Sequence, residues 1–250
     1  MKLFVNCMKC FHDQGYPSEV FYPVEVNDSG VLFGTCPKGH KTATILQQQK
    51  FEILFDFGSM ALVDGYPREA ITSIVASLER FYEFYIDVIL IKHNIDKNSI
   101  SYFWKYNSLS ERQFGAFTLS HLLNCNTEYI DFIDNQKPVG YTKTLKNVRN
   151  EVVHNGYMPS TDEASAYIDL CYKYLNKMIN QLITNESKSV ETKVLKEMLS
   201  RSKLVEKGMF SSTISIPTIV SLIQSNQRPE NYKDALDEFV DQYMKFLHNK

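Results

Sequence analysis

Three cysteines and one histidine near the amino terminus have the spacing of metal ligands. Cys7 and Cys10 are separated by two residues, and after 25 further residues Cys36 is followed four positions later by His40. Two residues between cysteines let both sulfurs face one ion, and the Pro-Lys-Gly sequence before His40 favours a tight turn. Three thiolates and one imidazole are the ligand set that tetrahedral Zn²⁺ prefers. We therefore predict a structural Zn²⁺ with a closed coordination sphere, and no catalytic metal.

The second ligand pair leaves an alternative open. The arrangement resembles a zinc ribbon, but its second knuckle ends in histidine rather than cysteine, so His12 is a rival to His40 as the fourth ligand. Buried thiols without a metal are the other interpretation. It is weaker because a β unit of this size gains little from packing, whereas metal binding supplies on the order of 10 kcal/mol of folding energy.

The segment that ends at His154 predicts an amphipathic helix with a polar face. At about 100° per residue, four polar side chains fall on one side: Lys143, Asn147, Asn150 and His154. Three aliphatic side chains fall on the opposite side: Leu145, Val148 and Val152. An imidazole on a polar face can transfer protons near neutral pH. Because Arg149 lies about 140° from His154 on an ideal helix, a site that uses both needs a bent segment or a second copy across a two-fold axis.

The sequence Arg149-Asn150-x-x-x-His154 resembles the Arg-x4-6-His motif of HEPN (higher eukaryotes and prokaryotes nucleotide-binding) ribonucleases. The segment from Leu78 to Tyr85 is also similar to a helix of that family, and the resemblance extends from about Phe51 to Thr184. It implies a helical bundle that dimerises and cleaves RNA without a metal, by attack of the ribose 2′-hydroxyl at a composite site between two protomers.

The resemblance also implies roles for individual side chains. His154 would transfer protons, Arg149 would stabilise the charge on the phosphate, and Asn150 would orient the imidazole or contact the phosphate. The expected RNA-binding side chains are Lys143, Lys146 and Asn147. Glu79, on the preceding long helix, is expected to steady Arg149.

Apolar periodicity and turn signals predict a mainly α chain in three parts. Residues 1–49 are predicted to form a small β zinc-ribbon-like domain, with a hairpin around Asn27 to Gly30. Residues 50–185 are predicted to form a HEPN-like helical bundle, and residues 186–250 a C-terminal helical extension. The predicted helices begin with a long one from Asp64 and continue at Ser110–Leu123, Glu128–Asn135, Tyr141–His154, Ser160–Leu182 and Tyr232–Leu247. A polar stretch, Thr184–Ser189, is predicted to end the bundle, and Gly208–Pro217 is predicted to be a loop.

Composition limits the classes of partner. In 250 residues, 44% hydrophobic side chains are enough for a substantial core. The 27 basic and 29 acidic residues give a formal charge of −2, so RNA binding requires a local basic patch. Without an export signal or an apolar run of about 18 residues, we expect a cytoplasmic protein with no membrane partner.

Two interpretations of function stay open. In the first, the chain is an endoribonuclease that acts on RNA as a homodimer, as a toxin or antiviral defence effector, with an antitoxin or regulatory protein as a further partner. In the second, the bundle is a non-catalytic dimerisation and binding module, and the zinc unit holds a protein or RNA partner. A zinc hydrolase is disfavoured because four protein ligands leave no position for a reacting water.

Overall fold

The computed structural model describes residues 2–16, 21–125, 133–223 and 228–248. The chain divides into two compact units, and each is built from separated segments. The β unit comprises Met1–Gln48, Val194–Pro217 and Val240–Lys250, and the helical unit comprises Gln49–Lys193 and Thr218–Phe239. Residues 186–250, predicted to form an extension of their own, are thus divided between the two units.

Two small sheets form the β unit. Their strands are β1 (Lys2–Asn6), β2 (Phe21–Glu25), β3 (Val31–Thr35), β4 (Lys41–Leu46) and β5 (Phe210–Ile214), and a short helix α1 (Met8–Gln14) follows β1. β1 pairs antiparallel with β2, and β4 pairs antiparallel with β3 and parallel with β5. The inward residues of the first sheet alternate with exposed ones, as expected for strands with one buried face.

The predicted hairpin around Asn27 to Gly30 is wrong, because the strands on its two sides belong to different sheets. The Asn27 side chain closes the turn by accepting a hydrogen bond from the Ser29 backbone N–H at 3.0 Å and donating one to the Val31 carbonyl at 2.9 Å. This turn leads the chain from one sheet into the next. The predicted loop Gly208–Pro217 is also corrected, since it contains β5.

Besides α1, the described residues contain seven longer helices, and the first six make up most of the helical unit. They are α2 (Lys50–Val63), α3 (Pro67–Lys92), α4 (Lys97–Asn107), α5 (Ser110–Cys125), α6 (Leu145–His154), α7 (Thr161–Ser202) and α8 (Tyr232–His248), with a 3-10 turn at Ile133–Asn135. The mainly helical class is therefore confirmed. Of the predicted helix Glu128–Asn135, residues 128–132 lie outside the described residues, and the rest forms the 3-10 turn.

The core of the helical unit forms where α3 packs against α2 and α5. One apolar stripe of α3 is buried: Ile71, Ile74, Leu78, Phe81, Tyr85 and Ile89. Gly58 allows α2 to approach α3 closely, since a Cβ there would lie 2.9 Å from the Ala70 carbonyl oxygen and the Ile74 side chain. Edge-on ring contacts fill the interior, with centroids 5.3 Å apart for Phe51 and Phe81.

α7 begins and bends where the sequence changes character. Ser160 caps the helix by accepting a hydrogen bond from the Glu163 backbone N–H at 3.1 Å, but the Glu163 carboxylate accepts from the Tyr157 hydroxyl instead of completing a capping box. The polar stretch Thr184–Ser189 interrupts the helix at a kink. Glu186 has non-helical φ and ψ of −136° and 35°, so α7 consists of two helices joined at this residue, and the Glu186 carboxylate pairs with Lys92 at 2.5 Å.

Among the described residues, none of the helices combines the length and the apolar character that crossing a bilayer requires.

Candidate functional sites

The amino-terminal ligand residues lie on two tight local structures of the β unit. Cys7 is the N-cap of α1, where its sulfur accepts a hydrogen bond from the Cys10 backbone N–H at 3.4 Å. Cys36 and His40 begin and end the loop of the β3–β4 hairpin, and the Cys36 N–H donates to the His40 carbonyl at 3.0 Å. Gly39 adopts a φ of +83° in this loop, a conformation that glycine accepts without strain. A helix start and a hairpin loop therefore present two ligands each.

The four side chains converge closely enough to ligate one metal ion. The His40 Nδ1 atom lies 3.3 Å from the Cys10 sulfur and 3.7 Å from the Cys7 sulfur, and the Cys10 and Cys36 sulfurs are 3.9 Å apart. All four ligand atoms lie within 4.8 Å of one another. Zinc–sulfur bonds of about 2.3 Å place the sulfurs of a tetrahedral site about 3.8 Å apart. The cluster can therefore hold a metal ion, and none of its three cysteines forms a disulfide.

His12 does not belong to this cluster. Its ring is exposed, lies 3.3 Å from the Asp13 carboxylate and packs on the Phe210 ring with 5.2 Å between centroids. His40, and not His12, is therefore the fourth potential ligand.

Burial, followed by hydrogen bonds with Cys7 and Cys36, raises the pKa of the Cys10 thiol to about 11. A bound divalent cation reverses such a shift, because it favours the thiolate.

α6 presents the predicted motif from a firmly anchored helix. Its three aliphatic residues are buried as predicted: Leu145, Val148 and Val152. Thr144 is the N-cap and accepts a hydrogen bond from the Asn147 N–H at 3.3 Å. His154 is the last residue of the helix and is exposed, whereas Arg149 and Asn150 are half-buried. The buried face fixes the helix, and its last two turns carry the polar side chains.

A cleft of about 830 Å³ joins the end of α6 to two other segments of the helical unit. Its walls are Val75 and Glu79 of α3, Leu109 to Arg112 at the start of α5, and Lys146, Arg149, Asn150, Val153, His154 and Asn155. Arg149 and His154 thus share one cleft despite their angular separation on the helix. The Arg149 side chain is fixed by Asn150, whose Oδ1 atom accepts hydrogen bonds from its Nε and Nη2 atoms at 3.3 and 3.2 Å. Asn150 therefore orients the guanidinium.

Two of the predicted RNA-binding residues lie outside the lining of this cleft. Lys143 precedes the N-cap, so the helical projection does not apply to it, and its ammonium pairs with Glu151 and lies 4.1 Å from the centre of the Tyr157 ring. The hydrogen bond from Lys143 to the Glu151 carboxylate is the main reason why the pKa of Lys143 is raised. Asn147 is exposed and also lies away from the lining. Only Lys146 of the predicted RNA-binding set contributes to the cleft.

The cleft contains a charged residue that the sequence did not single out. Arg112 enters from α5, and its Nη1 atom donates to the Tyr106 carbonyl at 2.9 Å. No spacing in the sequence connects Arg112 with α6, because only the packing of the helices brings it to the cleft.

Glu79 also lines the cleft, but its Oε1 atom accepts a hydrogen bond from the Ser110 hydroxyl at 2.7 Å, and its Oε2 atom lies 3.8 Å from Arg80. The expected support of Arg149 by Glu79 is therefore not a direct ion pair.

A smaller cavity adjoins this cleft and shares four of its residues. It has a volume of about 30 Å³, and its further walls include Tyr82, Phe114 and Tyr167. A space of this size admits about one water molecule.

No family model matches the chain, and no significant match was found among curated proteins or among solved structures. The fold and sites define a mainly helical protein of two units, with a Cys3His cluster in one unit and a cleft lined by charged side chains in the other.

Proposed function

We propose that the chain is a metal-independent endoribonuclease whose active site is the cleft at the end of α6. The observation that carries this proposal is that Arg149, His154 and Lys146 line one cleft of about 830 Å³, together with Arg112 from another helix. A cleft of this volume is large enough for a nucleotide. The lining has three cations, Lys146, Arg149 and Arg112, against two carboxylates, Glu79 and Glu111, so the cleft has a small local excess of positive charge in a chain with a formal charge of −2.

The chemistry follows from the side chains. The exposed imidazole of His154 can accept the proton of a ribose 2′-hydroxyl or donate one to the departing 5′-oxygen. Arg149, fixed by Asn150, stabilises the negative charge that builds on the phosphate oxygens. Lys146 binds a neighbouring phosphate, and Arg112 adds positive charge to the cleft. The products are a 2′,3′-cyclic phosphate and a 5′-hydroxyl.

We further propose that the active form is a homodimer. Attack by the 2′-hydroxyl and departure of the 5′-oxygen require a base and an acid together, and α6 supplies one imidazole. A two-fold axis beside the cleft would bring a second His154 to the same RNA. The resemblance to HEPN ribonucleases favours this arrangement, and it places the protein among toxins or antiviral effectors controlled by an antitoxin or regulatory partner.

The Cys3His cluster fits a structural role. Three buried thiolates and one imidazole match Zn²⁺, and four protein ligands leave no position for a reacting water. We therefore assign Zn²⁺ to stabilisation of the β unit and no metal to the cleavage step.

Substitution in the cleft tests the catalytic proposal. We expect His154→Ala and Arg149→Ala each to lower RNA cleavage at least 100-fold, because general acid–base catalysis typically contributes about 10²–10⁴ in rate. The matched control is His93→Ala, at the exposed end of α3, which should cleave like the parent. Cleavage by the parent should also continue in brief exposure to a chelator. If both cleft variants remain folded and cleave at the parent rate, the catalytic assignment is wrong.

A second candidate function is a binding module without catalysis. It is favoured by two exposed aromatic side chains of the β unit, Phe21 and Phe33. Exposed aromatic rings can hold a protein or RNA partner. RNA binding by the parent without any cleavage product would select this candidate.

A further inference from the structure

Two carboxylates, Glu79 and Glu111, line the cleft, and binding to phosphate does not explain why Glu79 is held in place there. Glu79 projects from α3 into the same space as Lys146, Arg149 and Arg112, and its side chain is 29% exposed. A carboxylate beside a phosphate-binding site repels the ligand. The Ser110 hydroxyl nevertheless fixes this side chain through a hydrogen bond of 2.7 Å to Oε1. A carboxylate that is held in place in this cleft is more readily explained if it contacts a part of the nucleotide other than the phosphate.

We propose that Glu79 recognises a guanine base of the RNA, an inference that rests on the proposed function in placing RNA in this cleft. A carboxylate has two oxygens, each with about two acceptor positions, so the bond from Ser110 leaves acceptor positions on both oxygens. Guanine is the one standard base with two adjacent donors, N1–H and N2–H, on its Watson–Crick edge. Adenine and cytosine place a ring-nitrogen acceptor beside their amino group, and uracil places carbonyl oxygens on both sides of its N3–H. The carboxylate therefore attracts guanine and repels the acceptor atoms of the other bases.

The space around Glu79 suits this arrangement. The adjoining cavity of about 30 Å³ is too small for a base, so the base occupies the larger cleft. Arg112 lies two residues after Ser110 on the same wall, where its guanidinium plane can stack on a base. Arg149 and His154 lie on the wall formed by α6, where they meet the phosphate and ribose. Base recognition and cleavage thereby use different walls of one cleft.

Binding of the four 5′-mononucleotides tests the inference without requiring cleavage. We expect the parent to bind GMP about 5- to 150-fold more tightly than AMP, CMP or UMP, the range given by one bidentate base contact. Glu79→Gln replaces one acceptor with an amide donor, and an amide pairs with the edges of adenine and cytosine as well as with that of guanine. We therefore expect this variant to lose the preference for GMP. Glu69→Gln, on the exposed first turn of the same helix, is the matched control and should keep the GMP preference.

Ser110→Ala provides a second variant that keeps the carboxylate but removes its orienting hydroxyl. It should weaken the preference for GMP without reversing it. Equal binding of the four nucleotides by the parent, or an unchanged GMP preference in Glu79→Gln, would overturn the inference. Loss of cleavage of all sequences in Glu79→Gln with the GMP preference intact would likewise overturn it, and would assign the carboxylate to proton transfer. Selective GMP binding by a parent that never cleaves RNA would retain the inference and reject the proposed nuclease.

Discussion

Two lysines near the motif illustrate how far a residue's sequence position determines its role. Lys143 and Lys146 have the same charge and lie three residues apart, and the sequence predicts RNA binding for both. Lys146 is exposed on α6 and lines the cleft, whereas Lys143 lies before the helix and is engaged by Glu151 and the Tyr157 ring. The local contacts of each ammonium therefore decide which of the two can reach a phosphate.

Substitution of each lysine should separate these roles. We expect Lys146→Ala to weaken binding of single-stranded RNA and to reduce the slope of log K against log salt concentration by about 0.7, the value for one lost phosphate contact. Lys143→Ala should leave that slope unchanged. Equilibrium binding over a range of salt concentrations measures both. An equal change in the two variants would show that the cleft does not define the RNA path.

Asp56 of α2 gives a residue-scale prediction about pH. Its side chain is fully buried, and burial raises the pKa of this carboxyl well above its ordinary value, against the opposing effect of the Ile219 N–H that donates to Oδ1 at 3.0 Å. In the unfolded chain the group ionises above the ordinary value of about 3.8. The folded state keeps the Asp56 carboxyl protonated up to a higher pH. Asp56 therefore contributes stability below pH 3.8, and this stability is lost as the pH rises toward the pKa of the folded state.

We expect the parent to lose up to about 1.4 kcal/mol of unfolding free energy per pH unit through Asp56 over that range. Asp56→Asn cannot ionise, so its unfolding free energy should fall less steeply between pH 4 and neutral pH. Urea denaturation at several pH values compares the two slopes. Parallel slopes would show that Asp56 titrates normally in the folded protein.

At the scale of elements, one carboxylate connects three helices of the helical unit. Asp87 of α3 accepts a hydrogen bond from the Trp104 indole of α4 at 2.8 Å and pairs with Lys193 of α7 at 2.6 Å. The Asp87 and Lys193 side chains are only 17% and 15% exposed. Removing the carboxylate leaves a partly buried ammonium and an indole N–H without this partner, which is more costly than the loss of an exposed pair.

We expect Asp87→Ala to lower the free energy of unfolding by about 2–3 kcal/mol. Lys173→Ala removes the exposed pair with Asp169 and should change it by less than about 0.5 kcal/mol. Chemical denaturation followed by Trp104 fluorescence compares the two variants. A change in Asp87→Ala no larger than that in Lys173→Ala would contradict the structural role of this connection.

The sequence predicted helices better than strands, for a physical reason. The periodicity of α3, α5, α6 and α8 is a local property, because each helix satisfies its own backbone and needs one apolar face. Strand pairing is not local. β1 and β2 are joined around α1, and β5 pairs with β4 from the far end of the chain, so no local pattern marks their partners. The hairpin around Asn27 was predicted wrongly because a turn signal shows that the chain reverses, and does not show which strands pair.

In the candidate sites too, local features could be predicted from the sequence and contacts between distant segments could not. The Cys3His cluster could be predicted because its ligands occur in two short local motifs, and the anchored face of α6 because its spacing is helical. Arg112 could not be predicted, since only the packing of α5 brings it to the cleft. Asn150 is part of the predicted motif, but its bond to Arg149 depends on rotamers that the sequence does not specify.

For the whole molecule, the two units should respond differently to loss of metal. The Cys3His cluster lies entirely in the β unit, and the single tryptophan, Trp104, lies in the helical unit and reports on it alone. Cys36→Ser removes one ligand and should lower the bound zinc well below one per chain. Because metal binding supplies much of the folding energy of so small a unit, we expect the β unit to unfold at lower temperature.

The expected result is an early transition in Cys36→Ser without a matching change in Trp104 fluorescence. Cys125→Ser changes a thiol of the helical unit and should retain about one zinc per chain. Elemental analysis and thermal denaturation followed by circular dichroism and fluorescence provide the measurements. A parent protein that carries no zinc after expression with ample metal would reject the assignment of this cluster.

The parallel pairing of β4 with β5 also has a consequence for synthesis on the ribosome. Thr42 pairs with Phe210, 168 positions later in the chain. At translation rates of about 5–20 residues per second, the nascent chain waits roughly 8–34 s before its second sheet can be completed. During that interval the outer side of β4 has unsatisfied backbone groups, which can pair with other polypeptides until β5 has been made.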